Sequence, residues 1–293
     1  MNIIITVFIF VIVLFLYLHI FYHYKTSNDL EVFEVSNLSK ERFEEVCNLR
    51  QPLTLDLDIN CFNQLDIVNI DKMYGSFDIK LRDISGNNNR ELYLPIVFNK
   101  ALIVVKEDKT SNYFSENNED FLKETSLIKN LKTNDLFLRP PSLMSSQYDY
   151  LFGSLHTKTP FRYDINYRHF IVVLNGNITV KLAPPKSSKY LFPDKDYDNF
   201  EFRSPVNPWD TQKQYQHDFS KIKCLNVTLE KGKLLFIPAY WWNSIQFNTS
   251  DTLLLSFKYR SYMNNIAILP EYFKYFLQKQ NIKHDVMQKI NID

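Results

Sequence analysis

The sequence predicts a mainly β protein: a double-sheet barrel or jelly roll with flanking helices, behind one N-terminal membrane-spanning helix. Three observations carry this. Short β-branched runs recur from Leu92 onward, separated by tight turns. No helical pattern alternates with them, which excludes a wound parallel sheet. Ile3 to Tyr22 reads IIITVFIFVIVLFLYLHIFY, without a formal charge.

That first run has the roughly 20 residues that a helix needs to cross about 30 Å of hydrocarbon. Tyr17, Tyr22, His23 and Tyr24 crowd its C-terminal end, where amphipathic rings prefer the interface. It lacks the basic leader, short apolar core and small-residue cleavage site of a signal peptide. Residues 1–24 are therefore expected to be an anchor. Lys25, just after the span, leans the following domain toward the cytosol. Residues 25–38 are expected to be a polar stalk, and 39–293 a single folded domain.

Within the domain, Ser39 caps an expected helix, KERFEEVCNL, and a second is expected over Glu119 to Leu131. LYLPIVF and ALIVV read as strands. Phe170–Leu174 and Ile178–Leu182 flank Asn175-Gly176, a strong hairpin signal. Leu225–Leu229 and Leu234–Ile237 flank Lys231-Gly232, and Ser244–Phe247 with Thr252–Tyr259 makes a third pair. From about Pro270 the tail returns to helical spacing, with Tyr272, Phe273, Phe276 and Leu277 on one face.

Composition bounds the function. Of 293 residues, 45% are hydrophobic and 15% aromatic, enough for a full core. The net charge is +1 and the lysines are scattered, so the basic surface that binds nucleic acid is not expected. Cys47, Cys61 and Cys224 have no CxxC spacing and read as buried, reduced thiols. Asp194, Asp196 and Asp198 read as loop carboxylates, and His217 and His284 as surface residues.

Five segments, in order, resemble the JmjC-like, cupin-type 2-oxoglutarate oxygenases. They are RQPLTL from Arg50, GSLHTKTPFRYD from Gly153, GNITVKLAPP from Gly176, SPV from Ser204 and GKLLFIPAYWWN from Gly232. ENNEDFL, FEFRSPVNPW and IPAYWW are also similar to uncharacterised cupin-like proteins of large DNA viruses. The resemblance implies a double-stranded β-helix (jelly-roll, cupin) barrel. It also implies an Fe(II) site made by an H-x-D pair and a histidine after the WW pair, with 2-oxoglutarate as cosubstrate.

At those positions the sequence departs from the family. The H-x-D place holds Arg162-Tyr163-Asp164, and the last histidine is Asn243. Arginine stays protonated and cannot ligate, and an amide is a poor Fe(II) ligand. The lysine expected to hold the cosubstrate is Ile178, while Thr159 beside it is kept. Lys181 falls on the other face of that strand. A second register starts at His156, but reads His156-Thr157-Lys158 and also loses ligands. The sequence thus points to a membrane-anchored barrel that has lost catalysis and binds or scaffolds a protein or small-molecule ligand, with no cofactor. Asp164 is expected to meet Arg162 in place of the ion, with Asn243 in reach. Trp241 and Trp242 are expected in the core. One alternative is an active Fe(II)- and 2-oxoglutarate-dependent protein hydroxylase or demethylase-like oxygenase using Asp164 with His156 or His169. Another is a small-molecule barrel using Arg162 for an anionic group.

Overall fold

The computed structural model describes residues 3–36, 38–85, 93–197 and 200–281. Leu92, Asp198 and His284 lie outside the described residues.

The helices are α1 (Ile3–Tyr24), α2 (Lys40–Asn48), α3 (Ile67–Tyr74), α4 (Phe98–Glu107), α5 (Glu119–Glu124), α6 (Leu127–Asn134), α7 (Gln216–Phe219), α8 (Tyr262–Ala267) and α9 (Leu269–Asn281). The strands are β1 (Phe33–Val35), β2 (Leu53–Asp56), β3 (Asp78–Asp83), β4 (Tyr93–Val97), β5 (Tyr113–Ser115), β6 (Leu143–Gly153), β7 (Arg162–Tyr163) and β8 (Arg168–Asn175). They continue as β9 (Asn177–Ala183), β10 (Asp194–Asp196), β11 (Glu201–Arg203), β12 (Leu225–Glu230), β13 (Lys233–Pro238), β14 (Trp242–Phe247) and β15 (Leu253–Ser261).

Among the described residues the strands form two sheets. One runs β1-β2-β13-β8-β15-β6-β5-β3-β4, the other β10-β11-β7-β14-β9-β12. Their central strands, β13-β8-β15-β6 and β7-β14-β9-β12, face each other as the double-stranded β-helix.

The expected hairpins are sheet-to-sheet corners. β8 pairs with β13 and β15, whereas β9 pairs with β12 and β14. The chain therefore leaves one sheet at Asn175-Gly176 and enters the other. Gly176 sits at φ +70, and a Cβ there would stand 2.3 Å from Thr249 Oγ1. The corners at Lys231-Gly232 and between β14 and β15 change sheets in the same way. A tight turn sets chain reversal, but the choice of ladder belongs to the neighbours that bury the strands.

The larger sheet is covered on both faces, so β8 is buried over seven consecutive residues. Ile171 and Val173 face the barrel interior with Val180, Ile245 and Leu235. Phe170 and Val172 face the other way, into a helical layer with Phe43, Phe62 and Phe98.

Several local expectations change. ALIVV lies in α4, where Phe98, Ala101, Leu102 and Val105 are buried at helical spacing; packing overrides β propensity there. The Glu119–Leu131 helix breaks into α5 and α6 at Ser126, which has φ 61. The described residues of the expected stalk dock on the domain: β1 pairs with β2, and Trp241 Nε1 donates to Ser27 O at 3.1 Å. Cys61 is exposed and Cys224 half-buried; only Cys47 is buried, and that burial pushes its thiol up to about 12. In α9, Tyr272 and Tyr275 pack on Phe200, while Phe273, Phe276 and Leu277 are exposed, so the single apolar face is two.

The Ser39 cap is present, its side chain accepting from Arg42 N. Helix α1 is long and apolar enough to cross a membrane, and its flanks are exposed for most of its length. Its base is fastened to the domain. His23 is buried against Tyr167, and Tyr24 Oη donates to Ala267 O. Arg50 donates to Tyr22 O at 2.5 Å and Lys25 O at 2.9 Å, capping the helix end with a cation.

Candidate functional site at the barrel mouth

Inward-facing residues divide the barrel interior into two zones. At the Gly176 end, Val173, Ile178, Phe247 and Leu254 fill it with apolar side chains. At the other end, register sets Arg162 opposite Asn243 and His169 opposite Lys258. This polar end is the mouth.

Among the described residues, an ion cluster of four side chains lines it. Arg162 Nη1 lies 3.0 Å from both Glu116 Oε1 and Glu201 Oε1, and its Nη2 bonds Glu116 Oε2. Arg82 Nη1 reaches Glu116 Oε1 at 2.7 Å, and its two terminal nitrogens take Glu201 at 3.1 and 3.2 Å. Tyr93 Oη donates to Glu116 Oε1 at 2.9 Å. Arg82 and Glu116 are almost fully buried. Burial would raise the Glu116 carboxyl, but Arg162 and Arg82 hold it well below the usual carboxylate range. Among these four side chains, two guanidinium forks are matched to two carboxylates.

Asp164 is engaged elsewhere, so the expected Arg162–Asp164 contact is replaced. Lys258 Nζ lies 3.1 Å from Asp164 Oδ1, and His169 Nδ1 lies 2.9 Å from Asp164 Oδ2. His169 Nε2 lies 2.9 Å from Ser256 Oγ. Burial lowers the His169 pKa against the pull of Asp164. Burial alone would raise Asp164, yet Lys258 and His169, with Arg162 behind them, keep it well below 3.8. Arg162 turns away because Glu116 and Glu201 together offer it a fuller set of acceptors.

The other expected positions are structural in their contacts. Asn243 is buried, and its amide donates to Arg162 O at 3.2 Å and Trp241 O at 3.3 Å, locking β14 to β7. The Thr159 hydroxyl accepts from Ile245 N at 2.9 Å, and Ile178 is opposite Phe247 in the apolar zone. Lys181 does point away from the interior, donating to Pro208 O at 2.9 Å. Trp241 and Trp242 are buried, and Trp242 Nε1 finds Ser188 Oγ at 2.8 Å. His156 is exposed at φ 64 and lines a separate cavity with Lys158 and Pro205; it is not among the side chains around Asp164. His169 is the one alternative histidine brought to Asp164. A cavity of about 180 Å³ opens at the mouth, lined by Lys80, Asp120, Gln147, Asp149, Ser256 and Lys258. Burial, with Glu116 nearby, pushes the Asp149 carboxyl up to about 6 although Asn117 and Asn118 donate backbone N–H groups to it.

Sequence reasoning missed Arg82, Glu116, Glu201 and Lys258. Lys80 and Arg82 alternate with Ile79 and Leu81, which reads as a solvent-facing side. Glu116 and Glu201 sit inside ENNEDFL and FEFRSPVNPW, so the resemblance held them without assigning a role.

The cupin-like domain family profile matches residues 62–265, most of the chain. The chain belongs to the cupin-like domain family. Human HSPB1-associated protein 1 is 26% identical over 127 residues, which is 43% of this chain and 26% of that protein. The rat protein of the same name is 27% identical over 95 residues, 32% of this chain and 20% of the relative. The chain thus spans about a quarter or less of the length of these curated relatives.

Against the iron centre that the cupin-type oxygenase resemblance implies, the residues here do not fit. Arg162 offers only donors, Asn243 offers only an amide oxygen, a poor Fe(II) ligand, and both Asp164 oxygens face nitrogen groups. A dication there would meet Arg162 and Lys258 as like charges. Among the described residues, no group of three His, Cys, Asp or Glu side chains is placed to hold a metal ion.

Proposed function

We propose that this cupin-like protein is a membrane-tethered, non-catalytic barrel that binds or scaffolds a partner. The observation that supports it most is the Arg162 guanidinium, held by Glu116 and Glu201 at the family's first ligand position. An organic ion cluster there does the neutralising that a dication does in an oxygenase, with no open coordination position for a cosubstrate. Tethering is supported by α1, whose last turn is built into the domain through His23, Tyr24 and Arg50. A cleaved leader would take those contacts with it. A protein partner is favoured because the relatives are named for association with another protein.

The test is divalent-metal binding by the full chain in detergent. Fe(II) or Mn(II) should not be retained after gel filtration, and 2-oxoglutarate should not protect or turn over. Stoichiometric, tight Mn(II) retention would reject the reading in favour of an oxygenase using Asp164 and His169.

A further inference from the structure

The base of α1 is not bare. Leu16, His19 and Ile20 are half-buried and His23 buried, a stripe at helical spacing, and α8 packs along α1. Leu16 to His23 is about 10 Å of helix axis. The free part, Ile3 to Phe15, rises only about 20 Å, well short of the roughly 30 Å hydrocarbon core. Within α1 as described, the remaining thickness is available in the stretch that α8 accompanies.

The outward residues of this region match such a place. Tyr262 and Ile266 on α8 are exposed, followed by Leu269, Phe273, Phe276 and Leu277 at helical spacing on α9, with Phe273 63% accessible. The opposite face of α9 is fixed to the domain: Tyr272 stacks on Phe200, Tyr275 meets the same ring edge to face, and Glu271 takes Tyr197 and Lys195. The helix is therefore held with an aromatic face turned outward, the composition of interfacial helices. Arg50 and the contacts of Tyr24 fix α1 to the domain, so this face is held beside the point where the span leaves the bilayer.

We infer that α8 and the Phe273–Phe276–Leu277 face of α9 lie in the membrane interface beside α1. The occupant of this apolar surface is the lipid bilayer, and the barrel mouth end is held toward it. This rests on the anchoring reading above.

The experiment uses the full chain in phosphatidylcholine vesicles, with Cys61→Ser and Cys224→Ser removing accessible thiols. A fluorophore is placed by Val11→Cys, Phe276→Cys or Asp251→Cys in turn, and quenching by shallow and deep nitroxide lipids is measured. Asp251 precedes β15, whose far end meets α8, roughly 30 Å away by strand rise. The expected result is deep quenching at Val11, shallow quenching at Phe276 and none at Asp251. Quenching at Val11 with none at Phe276 overturns this inference and leaves the anchor standing. No quenching at either overturns both. Energy transfer between labelled Phe276→Cys copies without lipid quenching would assign the face to a second copy and overturn the inference.

Discussion

Replacing Arg162 with alanine removes one of two cations from the buried set Arg82, Arg162, Glu116 and Glu201. Glu116 loses its bonds to Nη1 and Nη2, keeping Arg82 at 2.7 Å and Tyr93 at 2.9 Å. Glu201 loses one bond and keeps two from Arg82. These four side chains lose one positive charge beside a carboxylate only 3% exposed. Breaking a buried pair from one side costs about 3–5 kcal/mol. The Arg162 and Glu201 side chains are 18% and 13% exposed, so water can enter the space and the cost should fall near the lower bound, about 3 kcal/mol. The pH dependence has a definite sign. Glu116 is held below its ordinary 4.5, so its contribution is present above that pH and is lost as pH falls through the folded value. Without Arg162, Glu116 protonates more readily, so the gap between wild type and variant should narrow under acid. Urea unfolding of the full chain in detergent, near neutral pH and near pH 4, measures both. Adding Glu116→Gln removes one negative charge in turn and should recover part of the loss. A penalty below about 1 kcal/mol at neutral pH would refute the reasoning, since that is the scale of a solvated surface pair.

Other perturbations separate the remaining contacts. Lys258→Met removes a cation that lowers the His169 pKa while leaving Asp164, so that pKa should rise, as read by imidazole NMR; a fall would contradict the arrangement. Gly176→Ala should cost more than Gly232→Ala, because its Cβ meets Thr249 Oγ1 at 2.3 Å while that of Gly232 finds nothing nearer than 3.8 Å. The latter carries only the left-handed backbone cost of about 1–2 kcal/mol, and equal thermal shifts would argue against the corner packing. Arg162→His with Asn243→His should not gain Mn(II) affinity while Lys258 still holds Asp164; adding Lys258→Met should permit it. Mn(II) binding by the double variant alone would show that the ammonium is not the obstacle.

Much of this protein was determined by the sequence alone. The apolar run at Ile3–Tyr22 fixes a long helix because it carries no formal charge and few polar side chains. Five ordered segments carried the barrel, since the order of such segments along a chain needs no coordinates. Ser39 announced its helix because a cap is a local hydrogen bond. The tertiary structure alone decided pairing and partnership. The Asn175-Gly176 turn looks the same whether it closes a hairpin or turns a corner between sheets; the ladders that bury β8 and β9 choose. ALIVV became helical because the sheet offered it a face to cover. Arg162 found Glu116 and Glu201, 46 and 39 residues away in sequence, rather than Asp164 two residues on. In a buried site a charge takes the set of acceptors that leaves least of it unpaired, and only the closed barrel brings that set within reach.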